Sequence, residues 1–143
     1  MLAPALIAIR DYFEAHYSGL PHRWPNEEWP DTNPETARLP FLEIEIIGGQ
    51  NAIRSFSAPG SRLFIHPGLI RFYIFAPNGT GTTDAQATAD QIGAFMERAE
   101  FGQATGQTVR TLDFSTYSGV ASVENGNFQV LLASVPFDFY YIA

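Results

Sequence analysis

The chain has 143 residues, with 15 acidic and 8 basic side chains and a net charge of −7; every basic residue is arginine, and neither lysine nor cysteine occurs. These counts exclude a disulfide framework, a thiolate metal site, thiol catalysis, and any P-loop or Schiff-base lysine chemistry. They also argue against a general nucleic-acid binder, whose affinity rests on neutralising phosphate.

The length suits one domain spanning residues 1–143, large enough to bury roughly 68–70% of its unfolded surface. Charged residues make up 16% of the chain and aromatic residues 14%, so disorder is not expected. Twelve Phe, six Tyr and two Trp are many for one small core. Either the core is rich in aromatics, or some aromatic surface is reserved for other subunits. Interface cores are poor in charge and rich in Tyr, Trp, Phe and Arg.

In chain order, Leu2, Leu6, Ile9, Phe13 and Tyr17 recur at helical spacing and predict a first helix over 4–18. Pro4 suits its first turn, and Gly19 with Pro21 ends it. The opening apolar run has no basic start and stops at Arg10 and Asp11, so it does not read as a signal peptide. No run approaches the ~18 apolar residues of a membrane span. The chain therefore reads as soluble and cytoplasmic.

Residues 19–40 carry five prolines, which remove backbone donors and oppose regular structure. Trp24 and Trp29 lie in this segment. They either fold back over the core or dock on a neighbouring subunit. Phe41 to Ile47 alternates, with Leu42, Ile44 and Ile46 on one face and Glu43 and Glu45 on the other: a half-buried strand with an acidic outer face. Residues 52–57 and 61–66 predict two strands joined at Pro59-Gly60, forming a polar arm. His66-Pro67-Gly68 reads as a turn. Leu69 to Phe75 then reads as an interior strand.

After a loop at 78–82, Thr83 and Gln86 form a capping-box pattern, and Ala85, Ala89, Ile92, Met96 and Ala99 predict a second helix over about 84–100. The last third reads as strand. Thr108 to Phe114 is one candidate. Residues 119–124 and 127–135 form a pair turning at Asn125-Gly126, and Pro136 suggests an edge or a bulge. The expected class is α+β: a mixed, mostly antiparallel sheet packed against two main helices, with an extended polar β-arm.

The chemistry is sparse. His16, His22 and His66 have no second ligand at metal spacing, and His66 reads as solvated or capping. No nucleophile elbow is present. The loop before the second helix lacks both the lysine and the glycine spacing of a phosphate cradle. No catalytic residue, cofactor site or metal site is expected, and the chain is not read as an enzyme.

Several segments in order resemble one family. They are the amphipathic first helix, Trp24-Pro25-Asn26 and its Pro-rich loop, the strand Leu42–Ile47, and the polar arm. The run Gly68-Leu69-Ile70-Arg71-Phe72-Tyr73-Ile74-Phe75-Ala76-Pro77-Asn78-Gly79-Thr80-Gly81 follows, then the Ala-rich helix with Ala89-Asp90-Gln91-Ile92 and Phe95. Asn127-Phe128-Gln129-Val130 opens the last strand, and Val135-Pro136-Phe137-Asp138-Phe139 closes it. This pattern resembles the tail terminator, or tail completion, proteins of long-tailed phages and phage-like gene transfer agents. Phe128 stands where that family often has Trp or Tyr.

The resemblance implies a structural virion protein assembled in the host cytoplasm. It would form a homo-oligomeric ring, commonly a hexamer, on the head-proximal end of the tail tube. The ring ends tube polymerisation and offers a surface to the head connector. Its partners would be its own copies, the tube protein and the head completion protein, with DNA crossing the lumen unbound and no membrane involved. Trp24, Asn26, Trp29, Arg54, Phe56 and Arg62 are the candidate subunit or tube contacts. Glu43 and Glu45 are candidates for an acidic lumen that would repel DNA. A small-ligand binding module with a pocket between sheet and helices is the alternative. A hydrolase built on His66 and a carboxylate is a third reading.

Overall fold

A computed structural model describes residues 2–29, 33–53, 58–79, 83–102, 106–120 and 128–143. The elements run α1 (Ala3–His16), β1 (His22–Arg23), β2 (Phe41–Gly48), β3 (Ala52–Ile53), β4 (Leu63–Pro77), α2 (Thr83–Met96), β5 (Glu100–Phe101), β6 (Gln107–Thr111), β7 (Ser115–Val120) and β8 (Phe128–Ile142). Among the described residues the strands form one sheet in the order β1-β2-β4-β8-β6-β5, with β3 against β4 and β7 against β8. The β1–β2 pair is parallel and the other pairs are antiparallel. The fold is α+β, as the pattern of elements predicts.

Two 15-residue strands make the spine: β4 and β8 pair along their whole length, from Leu63↔Ile142 to Pro77↔Phe128. Their alternation divides the molecule. Ile70, Phe72, Ile74 and Ala76 of β4 join Leu131, Ala133, Val135, Phe137, Phe139 and Tyr141 of β8 in one buried cluster. Leu42 and Ile44 of β2 belong to it, as do Ala5, Ile9 and Phe13 of α1 and Ala85, Ala89, Ile92 and Met96 of α2. Both helices therefore cover the same sheet face. Phe13 is the hinge pin of that core, stacked at 5.7 Å on Phe72 and edge-on at 5.6 Å to Trp24.

The first helix buries Ala5, Ile9 and Phe13 rather than the predicted stripe in full. Leu6 is 37% exposed, one position round the helix from the buried Ala5–Ile9–Phe13 stripe. The helix also ends at His16, two residues short of expectation, where Tyr17 turns extended. The second helix stops at Met96 instead of near 100. Thr111 decides this: its hydroxyl donates to the Met96 carbonyl and accepts from the Ala99 N–H at 2.7 Å. Arg98 takes a left-handed φ of 49°, and the chain turns into β5. The side chain of Gln86 reaches forward to Asp90 at 3.0 Å.

Two prolines read as punctuation lie inside the spine. His66-Pro67-Gly68 is not a turn but the middle of β4, and Pro136 lies inside β8, which pairs on both edges. In a strand a residue's N–H and C=O point to the same side. The Pro67 carbonyl accepts from Gly49 N–H at 2.7 Å, so its missing donor faces the seam between β2 and β3. The Pro136 carbonyl accepts from Leu112 N–H at 2.8 Å, so its missing donor faces the seam between β6 and β7. Each long strand is flanked there by two short ones, and the ladder needs no N–H at the gap.

The polar arm is the stretch where β3 pairs with Phe64 and Ile65 while β8 holds the other edge of β4. Residues 54–57 and the predicted turn at Asn125-Gly126 lie outside the described residues.

Candidate assembly surface

The sheet face opposite the helices carries the odd-numbered residues of β2 and β4 and the even-numbered residues of β8. Among the described residues no helix packs on it. Register fixes its layout. Rows run Glu43–Tyr73–Leu132–Tyr117 and Glu45–Arg71–Ser134–Ser115 across β2, β4, β8 and β7.

One end is closed by aromatics. Phe41 stacks on Phe75 at 4.4 Å, meets Phe128 edge-on at 5.3 Å, and takes Trp29 edge-on at 5.6 Å. The middle is a ladder of ion pairs. Arg23 donates to Glu43. Arg71 lies 3.6 Å from Glu45, which also accepts from the Tyr73 hydroxyl at 3.1 Å. Farther along, Arg110 pairs with Glu100 at 3.2 Å and lies 5.2 Å over the Tyr140 ring. At the margins, Ile47 is 40% and Tyr117 59% exposed.

Trp24 packs within its own chain. It is buried in the core, its indole N–H donates to Glu14 at 2.7 Å, and Arg10 lies over its ring at 5.6 Å. The loop folds back over the core at this residue. Asn26 is exposed at a tight turn with φ 60°. Trp29 is half-buried beneath Arg23, which lies 5.1 Å over its ring, and its buried indole N–H has no partner among the described residues. Arg62 is half-buried, with its guanidinium 5.8 Å over Phe64. Arg54 and Phe56 lie outside the described residues.

Trp24, Asn26 and Trp29 therefore share one loop, while Arg62 lies at the far end of β4. Glu43 and Glu45 do lie side by side on the helix-free face, but each has an arginine partner. Arg23 and Arg71 (+2) against Glu43 and Glu45 (−2) leave that patch neutral.

Two features lay beyond sequence reasoning. One is the anchor of the tryptophan loop. Glu14 accepts from the Trp24 indole and lies 2.8 Å from His22 Nε2, while Arg10 holds Glu27 at 2.8 Å. Partial burial pushes the Glu14 carboxyl up, but the bonds from Trp24 and His22 and the charges of His22 and Arg10 outweigh it and hold it below its ordinary range. The other is His66. It is neither solvated nor capping: it is 9% exposed, and among the described residues neither ring nitrogen has a hydrogen-bond partner. No spacing rule could find either, because both arise from residues brought together by the fold. Among the described residues no group of His, Asp or Glu could hold a metal ion, and no helix is long and apolar enough to cross a membrane.

No protein-family model and no curated protein matches the chain. Solved structures do share its fold. One is 21% identical with a TM-score of 0.64, covering 94% of this chain and 95% of its own, and its name states no activity. At that identity the likeness shows the fold alone.

Proposed function

We propose that this chain is a tail terminator of a long-tailed phage or phage-like gene transfer agent: a non-enzymatic virion subunit that rings the head-proximal end of the tail tube. One observation carries the reading beyond the sequence resemblance. Both helices occupy a single sheet face, and the opposite face keeps apolar residues at its margins, with Glu43 and Glu45 in its middle paired to arginines. Such a face suits assembly better than catalysis, because its central carboxylates, Glu43 and Glu45, are committed to Arg23 and Arg71 rather than poised for a substrate. A hexameric ring would repeat one heterologous contact until it closes. It would present one side to the tube protein and the other to the head connector.

Neutral pairs at Glu43 and Glu45 offer passing DNA little repulsion. The repulsion would come from the net charge of −7 carried by each copy.

Electron microscopy of the purified chain mixed with polymerising tube protein tests the proposal. Shortened tubes, each capped at one end by a ring, are the expected result. Tubes of unchanged length with a strictly monomeric chain would sink it.

A further inference from the structure

Two strand edges of the sheet are open, and they match. On the outer side of β2, β1 reaches only Leu42 and Glu43. The Leu42 N–H points outward to the Pro21 carbonyl, so by alternation Ile44 and Ile46 also point their N–H and C=O groups outward. The parallel bridge at Arg23↔Glu43 places the Ile44 N–H on the Arg23 carbonyl, and among the described residues no strand pairs with the Ile44 carbonyl or with the N–H and carbonyl of Ile46. On the other side of the sheet, β7 pairs with β8 along one edge and, among the described residues, with no strand along the other.

The open edges stand level, since Glu45 and Ser115 end the same row through Arg71 and Ser134. Their directions also agree. β2 runs antiparallel to β4, β4 to β8, and β8 to β7, so β2 and β7 of one chain run in opposite directions. A second copy displaced across the sheet would set its β2 beside β7 antiparallel, which continues the pattern of the sheet and is the more stable ladder. Ile47 and Tyr117 lie on the same face at opposite margins; in the level antiparallel register Glu45 comes opposite Ser115 and Glu43 opposite Tyr117, with Ile47 farther along the same seam.

Natural edges are usually guarded by lysine, proline or inward-pointing charge. Residues 44–47 and 115–117 hold no proline and no lysine. Their one charge, Glu45, is already neutralised by Arg71, so the uncharged β7 edge meets no unpaired charge there.

We propose that copies of this chain join head-to-tail by pairing the Ile44–Ile47 edge of β2 with the Ser115–Tyr117 edge of β7, giving a sheet that runs from subunit to subunit. This rests on the ring reading and names its contact. The contact uses two different edges, so it is heterologous and repeats around a ring.

The absence of native cysteine makes the test clean. Full-length chains carrying Glu45→Cys, Ser115→Cys or both are treated with a bifunctional maleimide long enough to tolerate a register slip. Ring formation is followed separately by light scattering and electron microscopy, with and without tube protein. The chain with both changes should give a covalent ladder up to the full ring, each single variant should stay monomeric, and a mixture of the two singles should stop at dimers. If the paired variant fails to fold, Ile47→Cys with Tyr117→Cys and a longer maleimide probes the same edges. Rings without a ladder would overturn the edge pairing and leave the ring reading standing. Dimers from a single variant would also overturn it, because they show a self-matched contact. A chain that remains monomeric and leaves tubes uncapped would overturn both.

Discussion

At the residue scale, Gly68 is the position with least freedom. A Cβ there would lie 2.3 Å from the Phe137 ring and 2.7 Å from the Ile47 carbonyl oxygen. Phe137 is 1% exposed and cannot withdraw, and Ile47 is held in the β2–β4 ladder. Gly68→Ala should therefore cost about 1–3 kcal/mol, as overpacking of a filled core does, read as a lower denaturant midpoint with unchanged slope. Glu14 gives the pH signature. Its folded pKa lies below the ordinary 4.5, so its stabilisation is present above that value and is lost as pH falls through the folded pKa. The group is largely solvated, so Glu14→Gln should cost only about 0.5 kcal/mol at pH 7. The gap between variant and parent should close as pH drops below 4.5. A gap that stays constant across acid titration would remove the charge from the explanation.

At the element scale, Thr111 couples a helix to the sheet. The last carbonyls of a helix have no partner within it. Here the Thr111 hydroxyl serves Met96 and also takes the Ala99 N–H, while Arg98 N–H donates to the Leu112 carbonyl at 3.1 Å. Thr111→Val keeps the shape and strands those buried groups, so it should cost about 1–3 kcal/mol. Amide exchange should quicken first at the end of α2 if the effect is local. The predicted boundary near residue 100 failed here because helical spacing continues through Ala99, whereas the stop signal comes from a strand residue fifteen positions after Met96. The prolines failed for a related reason. Pro67 and Pro136 read locally as breaks, yet each falls where two short strands meet and no ladder bond is due.

At the scale of the whole molecule, the charge ledger matters more than any one pair. Exposed pairs such as Arg98 with Asp113 contribute little to stability, and they cancel locally, leaving the net −7 as the long-range field. The chain should give no shift of duplex DNA in a gel at low salt and micromolar protein. Salt-sensitive retention there would contradict a lumen that DNA passes without being held. The helix-free sheet face is also a property of the whole. It exists only because α1 and α2 pack on the same side.

The sequence by itself determined the class, the two helices, the alternation of β2 and the lack of cysteine and lysine chemistry, because each depends on residue type or on contacts between near neighbours. Leu42, Ile44 and Ile46 against Glu43 and Glu45 show this well: period two alone sets their faces. Only the tertiary structure decided what those faces meet. It buried Trp24 in its own core, gave Glu43 and Glu45 their arginine partners, left His66 without a hydrogen-bond partner among the described residues, and set Glu45 and Ser115 at the two ends of one row. These depend on pairings between segments far apart in the chain, and a register that no local pattern encodes sets them.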